Sequence, residues 1–352
     1  MVQNKGLIFK EVPVDWPVEG KNLTIEDRRF DLDTQPPKDG ITTKNFYISF
    51  DPYQRGRMRA PELKSYSPPF ELGKPVTNSA VAKVIKSDNP RFKEGDVVTG
   101  MLPTEEYSVV SGEVANNMVR LLDNPYNLDL KLFVGALGMP GLTAYSSLYA
   151  IGGPKKGETI FISAASGAVG QIVGQLAKHE GLKVIGSVGS DEKLEFIKKD
   201  LNFDGGFNYK KEKPDEALSK LATRGIDIYY DNVGGEQLDA ALSAMNDFGR
   251  IIACGMVSQY NISDPTKKYG VKNLGVVVSK RLRMQGFIVG DPDFGPKHAL
   301  EHQKNVAKWI SEGTFKAQQS LTDGIDNAIK GFLGMLKGEN FGKAVLRIDD
   351  LC

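Results

Sequence analysis

Between residues 159 and 289 short apolar runs alternate with amphipathic stretches, and glycine or a polar cap marks most changes from one to the other. That alternation is the tightest constraint in the chain, because parallel strands are buried on both faces and need crossover helices to connect them. It predicts strands at 159–163 (TIFIS), 183–188 (KVIGSV), 206–209 (GFNY), 226–233 (IDIYYDNV), 249–255 (GRIIACG) and 282–289 (LRMQGFIV). Helices are expected at 169–179, 191–199, 214–223 and 236–246. Six strands in this pattern make an α/β fold with a doubly wound, parallel, Rossmann-type sheet. Glycine follows the same division, with 8 in residues 1–130, 25 in 131–315 and 5 in 316–352. The first 130 residues instead show short alternating segments such as GLIFKEVPV and KNFYISF, with Pro36-Pro37 and Pro68-Pro69 turns, and read as a mostly β domain. A helix at 322–337 and a strand at 343–348 are expected to return to it. The expected domains are thus 1–130 completed by 315–352, and 131–314.

Residues Ala165, Ser166, Gly167, Ala168, Val169 and Gly170 sit where the first of those strands turns into a helix. This is GxGxxG with alanine first: the middle glycine admits a pyrophosphate, the last lets the helix pack on the strand, and the helix N-terminus supplies free N–H groups. An NAD-preferring site would carry an acid about 20 residues on, for the ribose 2′-hydroxyl. Ser187, Val188, Gly189 and Ser190 stand there instead, followed by Lys193. A helix start at Gly189-Ser190 beside an ammonium suits a 2′-phosphate, so NADPH is expected. Tyr209 and Lys213 have YxxxK spacing but lie about 40 residues past the glycine turn, too close for the tyrosine–lysine pair of short-chain dehydrogenases. Tyr209 is expected to flank the cofactor.

Several function classes are disfavoured. With 45 basic and 44 acidic residues the formal charge is +1, which does not suit a nucleic-acid binder. The longest apolar stretch, 132–151, is broken by Gly135, Gly138, Pro140 and Gly141, so no membrane span is expected. The segment MVQNKGLIFKEVPVDWP has no signal-peptide pattern, and a cytoplasmic protein is expected. Two cysteines, Cys254 and Cys352, and three histidines form no zinc motif. His298 and His302, four apart in a polar run, read as a solvated helix face, and Cys254 as a buried thiol on the fifth strand.

Six segments carry a resemblance: AASGAVGQIVGQLAK, DPYQRGRM (51–58), DNVGG (231–235), CGMVSQYN (254–261), GFIV (286–289) and ENFGKAV (339–345). Together they resemble the zinc-independent medium-chain dehydrogenase/reductases, and within them the NADPH-dependent alkenal/one double-bond reductases that include leukotriene B4 12-hydroxydehydrogenase/prostaglandin reductase and curcumin reductase. The resemblance implies a GroES-like β domain beside the Rossmann domain and a homodimer. It implies cofactor contacts at Ser166, Gly167, Ala168, Val169, Lys193, Tyr209, Asn232, Cys254, Gly255, Met256, Val257, Ser258, Phe287, Ile288, Val289 and Asn340. Tyr53 and Tyr260 match the family's substrate-side tyrosines. Many members read DPYMRGRM, and Gln54 replaces that methionine here, which bears on substrate shape.

The implied chemistry is reduction of an α,β-unsaturated carbonyl. Hydride reaches the β-carbon, negative charge gathers on the carbonyl oxygen, and a hydrogen-bond donor must meet it. Tyr260, past the fifth strand, is the expected donor, since a phenol of ordinary pKa about 10 is protonated at neutral pH. Tyr53 is expected more as a wall of the substrate site. Quinone reduction and a non-catalytic, crystallin-type NADPH-binding protein stand as alternatives.

Overall fold

The structure is a computed structural model that describes residues 1–350. Cys352 lies outside the described residues. The chain forms two compact units, Met139–Gln318, and Met1–Gly138 together with the chain from Gln319 onward.

The first of these holds a six-stranded parallel sheet. Its strands are β1 (Thr159–Ile162), β2 (Lys183–Val188), β3 (Gly205–Asn208), β4 (Ile226–Asp231), β5 (Met245–Ala253) and β6 (Arg283–Gly286). Their spatial order is β3-β2-β1-β4-β5-β6, the doubly wound arrangement. Helices α1 (Gly170–His179), α2 (Asp191–Lys199), α3 (Pro214–Leu221) and α4 (Gly235–Ala244) follow β1 to β4 in turn. All four β1 residues are buried, as a strand covered on both faces requires. Phe161 of β1 stacks on Tyr229 of β4 at 5.0 Å and on Phe207 of β3 at 5.9 Å, joining three strands in one aromatic core.

Missing side chains set how closely α1 lies on the sheet. A Cβ on Gly170 would stand 2.5 Å from the Ala164 carbonyl oxygen and 2.8 Å from Ala165 Cα, both immovable backbone. One on Gly174 would enter the ring of Phe203, and one on Gly186 of β2 would meet Ala165 Cβ at 2.6 Å. Ala164 itself adopts a left-handed conformation at φ 49°, unusual for a residue with a side chain, in the turn that delivers the chain from β1 to α1.

The second unit is β-rich. Its seven-stranded sheet includes, in spatial sequence, Gln319–Asp323, Lys343–Arg347, Ile41–Ser49, Thr77–Ser87, Val97–Pro103 and Val119–Leu121, and Tyr107–Val110 also pairs with Ile41–Ser49. The core of this unit includes Ile48, Phe50, Val98, Leu102, Phe332 and Leu346.

Three local expectations need correction. The helix expected at 322–337 begins later, at Ala328–Leu336, because Gln319–Asp323 is a strand paired parallel to Lys343–Arg347 and Gly324 at φ 80° ends it. The strand expected at 282–289 is cut to four exposed residues, Arg283–Gly286. The His298/His302 face is not solvated: His302 is fully buried and packs edge-on against Tyr145 of helix Met139–Ser147 at 5.8 Å. Charged neighbours such as Lys297 and Glu301 masked that buried stripe in the sequence.

Gly174→Ala should lower stability by roughly 1–3 kcal/mol, the usual cost of overpacking, because the Phe203 ring has nowhere to move. Urea unfolding checks this, and an unchanged midpoint would show that α1 and Phe203 can separate.

Candidate active site

The doubly wound sheet reverses its strand order between β1 and β4, and the crevice outside their carboxyl ends is where such sheets bind ligands. Asn232, just past β4, spans that point. Its backbone N–H donates to the Ser163 hydroxyl at 2.9 Å and its amide to the Ser163 carbonyl at 2.7 Å. Beneath it the buried Asp231 carboxylate accepts from the Tyr229 hydroxyl at 2.7 Å and from the N–H groups of Gly234 at 2.7 Å and Val233 at 3.0 Å. Burial pushes the Asp231 carboxyl upward, and these donors oppose it.

On the β1 side, Gly167 differs from Gly170. A Cβ there would meet nothing closer than the Ala164 oxygen at 3.1 Å. The Ala164 carbonyl thus bears on both glycines, severely on Gly170 and more mildly on Gly167. Ser166 is buried beside it, and α1 begins at Gly170.

At the end of β2, the buried Ser187 donates to the Gln237 side chain, so no acid occupies the ribose position. Ser190 caps α2 by accepting from the Lys193 N–H at 3.2 Å. The nearest acid, Asp191, is turned to the Asn208 amide at 2.8 Å and to Lys211. Lys193 is half-buried, and its ammonium is held below the usual lysine range first by burial and then by the charge of Lys210. Tyr209 is 44% exposed, with its hydroxyl over Gly189: a Cβ there would lie 3.2 Å from it. Two cations, a capped helix start and an exposed ring thus lie at the carboxyl end of β2 and β3.

The loop after β5 is laced to the loop after β4. Cys254 and Gly255 donate backbone N–H groups to the Asp231 carbonyl at 2.9 and 3.0 Å, Val257 to Asn232 at 3.2 Å, and Ser258 to Val233 at 3.2 Å. Gly234 and Gly235 both take positive φ, 68° and 56°, which the turn into α4 demands and the sequence DNVGG supplies. The Tyr260 hydroxyl turns back over this loop and accepts from the Met256 N–H at 3.3 Å. Cys254 lies one residue past β5 and is half-buried rather than within the strand; burial pushes its thiol up to about 12, which makes it a poor nucleophile. Phe287, Ile288 and Val289 follow β6, with Phe287 against Phe294 at 5.1 Å.

In the β-rich unit, Tyr53 opens the short helix Gln54–Arg57 and is partly exposed. Burial of its ring and the charge of Asp51 raise its pKa. Gln54 is buried, and its side-chain oxygen accepts from the Asp51 N–H at 2.9 Å, so the departure from the DPYMRGRM pattern is an internal brace rather than a surface facing substrate. Asn340 donates to the Gly342 carbonyl at 2.6 Å. Sequence reading missed the joint role of Asn78, which accepts from the Tyr53 hydroxyl at 2.7 Å, and of Asp51 and Lys343 behind it; Asp51 and Lys343 lie in the segments DPYQRGRM and ENFGKAV, but nothing local pairs them.

Among the described residues no group of three or more His, Cys, Asp or Glu is placed to hold a metal ion, and no helix is long and apolar enough to cross a membrane.

A family model described as zinc-binding dehydrogenase matches residues 168–305, and one described as N-terminal domain of oxidoreductase matches residues 5–118. An NADP-dependent oxidoreductase, RED1, of Cochliobolus heterostrophus is 56% identical over 351 residues, covering 100% of this chain and 99% of that protein. The chain belongs to the medium-chain dehydrogenase/reductase family. A 2-alkenal reductase (NADP(+)-dependent) of Nicotiana tabacum is 41% identical, with 99% of this chain and 98% of that protein covered. The crystal structure of CurA from Vibrio vulnificus in complex with NADPH superposes with a TM-score of 0.87 at 32% identity, covering 99% of this chain and 100% of that one. The chain is accordingly an NADP-dependent oxidoreductase of the NADPH-dependent enone reductase family, and NADPH is its cofactor.

Lys193→Ala should weaken NADPH binding by about three- to tenfold, the size of a partly screened charge contact of about 1 kcal/mol, and hardly alter NADH binding. Fluorescence titration with both cofactors checks this; equal losses would remove Lys193 from the 2′-phosphate.

Proposed function

We propose that this protein reduces the carbon–carbon double bond of α,β-unsaturated aldehydes and ketones, with the Tyr260 hydroxyl as the group that meets the developing enolate oxygen. When bound, NADPH supplies the hydride. We assign it to the unit Met139–Gln318, at Ser166, Gly167, Ala168, Val169, Gly170, Gly189, Ser190, Lys193, Tyr209, Asn232, the loop 254–258 and Phe287, Ile288 and Val289.

The observation that carries this reading is the position of Tyr260. Its hydroxyl lies at the carboxyl end of β5, over Gly255, and accepts from the Met256 N–H at 3.3 Å. A neutral donor in a partly desolvated loop stabilises charge that appears in the transition state without a metal. Cys254 stays protonated beside it and adds no competing nucleophile. The 41% identity to a tobacco 2-alkenal reductase supports the same substrate class. The same reading makes the chain a homodimer joined at the exposed edge strand β6.

Tyr260→Phe should slow single-turnover hydride transfer to a medium-chain 2-alkenal by on the order of 10², the cost of one oxyanion donor. Stopped-flow decay of NADPH absorbance measures it. A rate equal to wild type would reduce Tyr260 to packing.

A further inference from the structure

Two glutamines of the motif AASGAVGQIVGQLAK have no part in the proposed chemistry, yet both are buried: Gln171 is 2% exposed and Gln175 7%. They stand four residues apart on α1, and so on one face of it. Each commits its side-chain amide to the backbone of the segment on which the unit Met139–Gln318 ends. Gln175 donates through Nε2 to the Lys316 carbonyl at 2.8 Å and accepts through Oε1 from the Lys316 N–H at 2.7 Å. Gln171 does the same with Gln318, at 3.0 Å to the carbonyl and 2.9 Å from the N–H.

Residues 316 and 318 are two apart, the period at which an extended chain presents its peptide groups to the same side. The two amides therefore act as rungs of an antiparallel ladder, for a stretch, 316–318, that belongs to no helix or strand. The next residue, Gln319, opens the strand Gln319–Asp323 and donates its side chain to the Lys131 carbonyl at 2.9 Å, within the β-rich unit. The passage from one unit to the other thus falls on a single peptide bond. At its other end the clasp meets the glycine-rich turn: the Gln171 N–H donates to the Gly167 carbonyl at 3.1 Å, and Gln175 Nε2 also donates to the Gln171 carbonyl at 2.9 Å. Gln171 is held by the turn through its backbone and holds the exit through its side chain.

We propose that Gln171 and Gln175 form a clasp through which a cofactor seated at the glycine-rich turn steadies the exit of the chain at Lys316–Gln318. This rests on the cofactor placement above. The clasp closes only when Gln171 is fixed in place, and a ligand that orders the turn has already met part of that entropy, so the clasp closes more firmly on the loaded protein. Linkage makes the effect mutual: breaking the clasp must weaken cofactor binding by the factor by which the cofactor tightens the clasp.

Hydrogen exchange resolved to single amides reads the clasp directly, because the Lys316 and Gln318 N–H groups make two of its four bonds. Saturating NADP⁺ should slow both by about fivefold, the low end of ordinary coupling between sites. The Glu312 and Gly313 amides, bonded to the Lys308 and Ile310 carbonyls at the end of helix Gly295–Ser311, are the control and should not change. Gln171→Leu, of similar size but unable to bond, should abolish the NADP⁺ effect at Gln318 and weaken NADP⁺ binding, read by calorimetric titration, by the same factor of about five. Unchanged exchange in wild type, equal slowing of the control amides, or a variant with wild-type affinity overturns the proposal; the wild-type comparison decides alone if the variant does not fold. Gly167→Ala scores the placement separately. Unchanged NADP⁺ affinity there takes the cofactor off the turn and the coupling with it, whereas weakened affinity together with unresponsive Lys316 and Gln318 amides in wild type overturns the clasp and leaves the placement standing.

Discussion

Everything at the cofactor side depends on how little room separates α1 from the strands beneath it. Gly170 and Gly174 on the helix and Gly186 on β2 each stand where a single methyl group would strike backbone or a buried side chain. Close packing of this kind fixes position far more tightly than apolar burial alone, because interiors resist even one added methylene. It sets the N-terminus of α1 at the end of β1, beside the crevice where the sheet reverses. The neighbouring Gly167 is under a milder constraint of the same kind, with the Ala164 oxygen 3.1 Å from where its Cβ would stand.

Around that fixed point the polar groups are sorted by charge. Carboxylates are withdrawn from the crevice: Asp231 is buried under its own loop, and Asp191 is turned to Asn208 and Lys211. Burial and then the charge of Lys210 hold the Lys193 ammonium below the usual lysine range. The loops after β4 and β5 are tied by backbone bonds and by the Ser258 hydroxyl, which donates to the Val233 carbonyl at 2.6 Å. The two tyrosines then differ in the sense of their hydrogen bonds, Tyr260 accepting from a backbone N–H and Tyr53 donating to an amide oxygen.

The parallel sheet was legible because its signals are local. Buried runs such as TIFI, glycines at the turns, and the Ser190 cap three residues before Lys193 all act within a few residues of one another. The absence of an acid after β2 was equally readable, and the buried Ser187 explains it. Features set by distant contacts were hidden. The strand Gln319–Asp323 was read in part as helix because its pairing partner begins at Lys343, beyond the helix itself. The His302 stripe looked polar because charged residues flank it, although Tyr145 covers it. Lys343 and Asp51 each look like ordinary surface residues in sequence; only a fold that brings Lys343–Arg347 beside Ile41–Ser49 makes them a buried pair.

That last strand has a consequence for how the polypeptide is made. Asp51 and Lys343 are 292 positions apart, a stretch that takes roughly 15 to 60 s to translate at about 5–20 residues per second. Throughout that interval the flank of Ile41–Ser49 that Lys343–Arg347 finally occupies stands open, and the Asp51 carboxylate has no cation to meet. The parallel-sheet unit, drawn from one uninterrupted stretch, emerges in full before the β-rich unit can close. The nascent protein therefore passes its vulnerable period with a folded middle and an unfinished beginning, and a chain cut before Lys343 would leave an exposed strand edge inviting pairing with other chains.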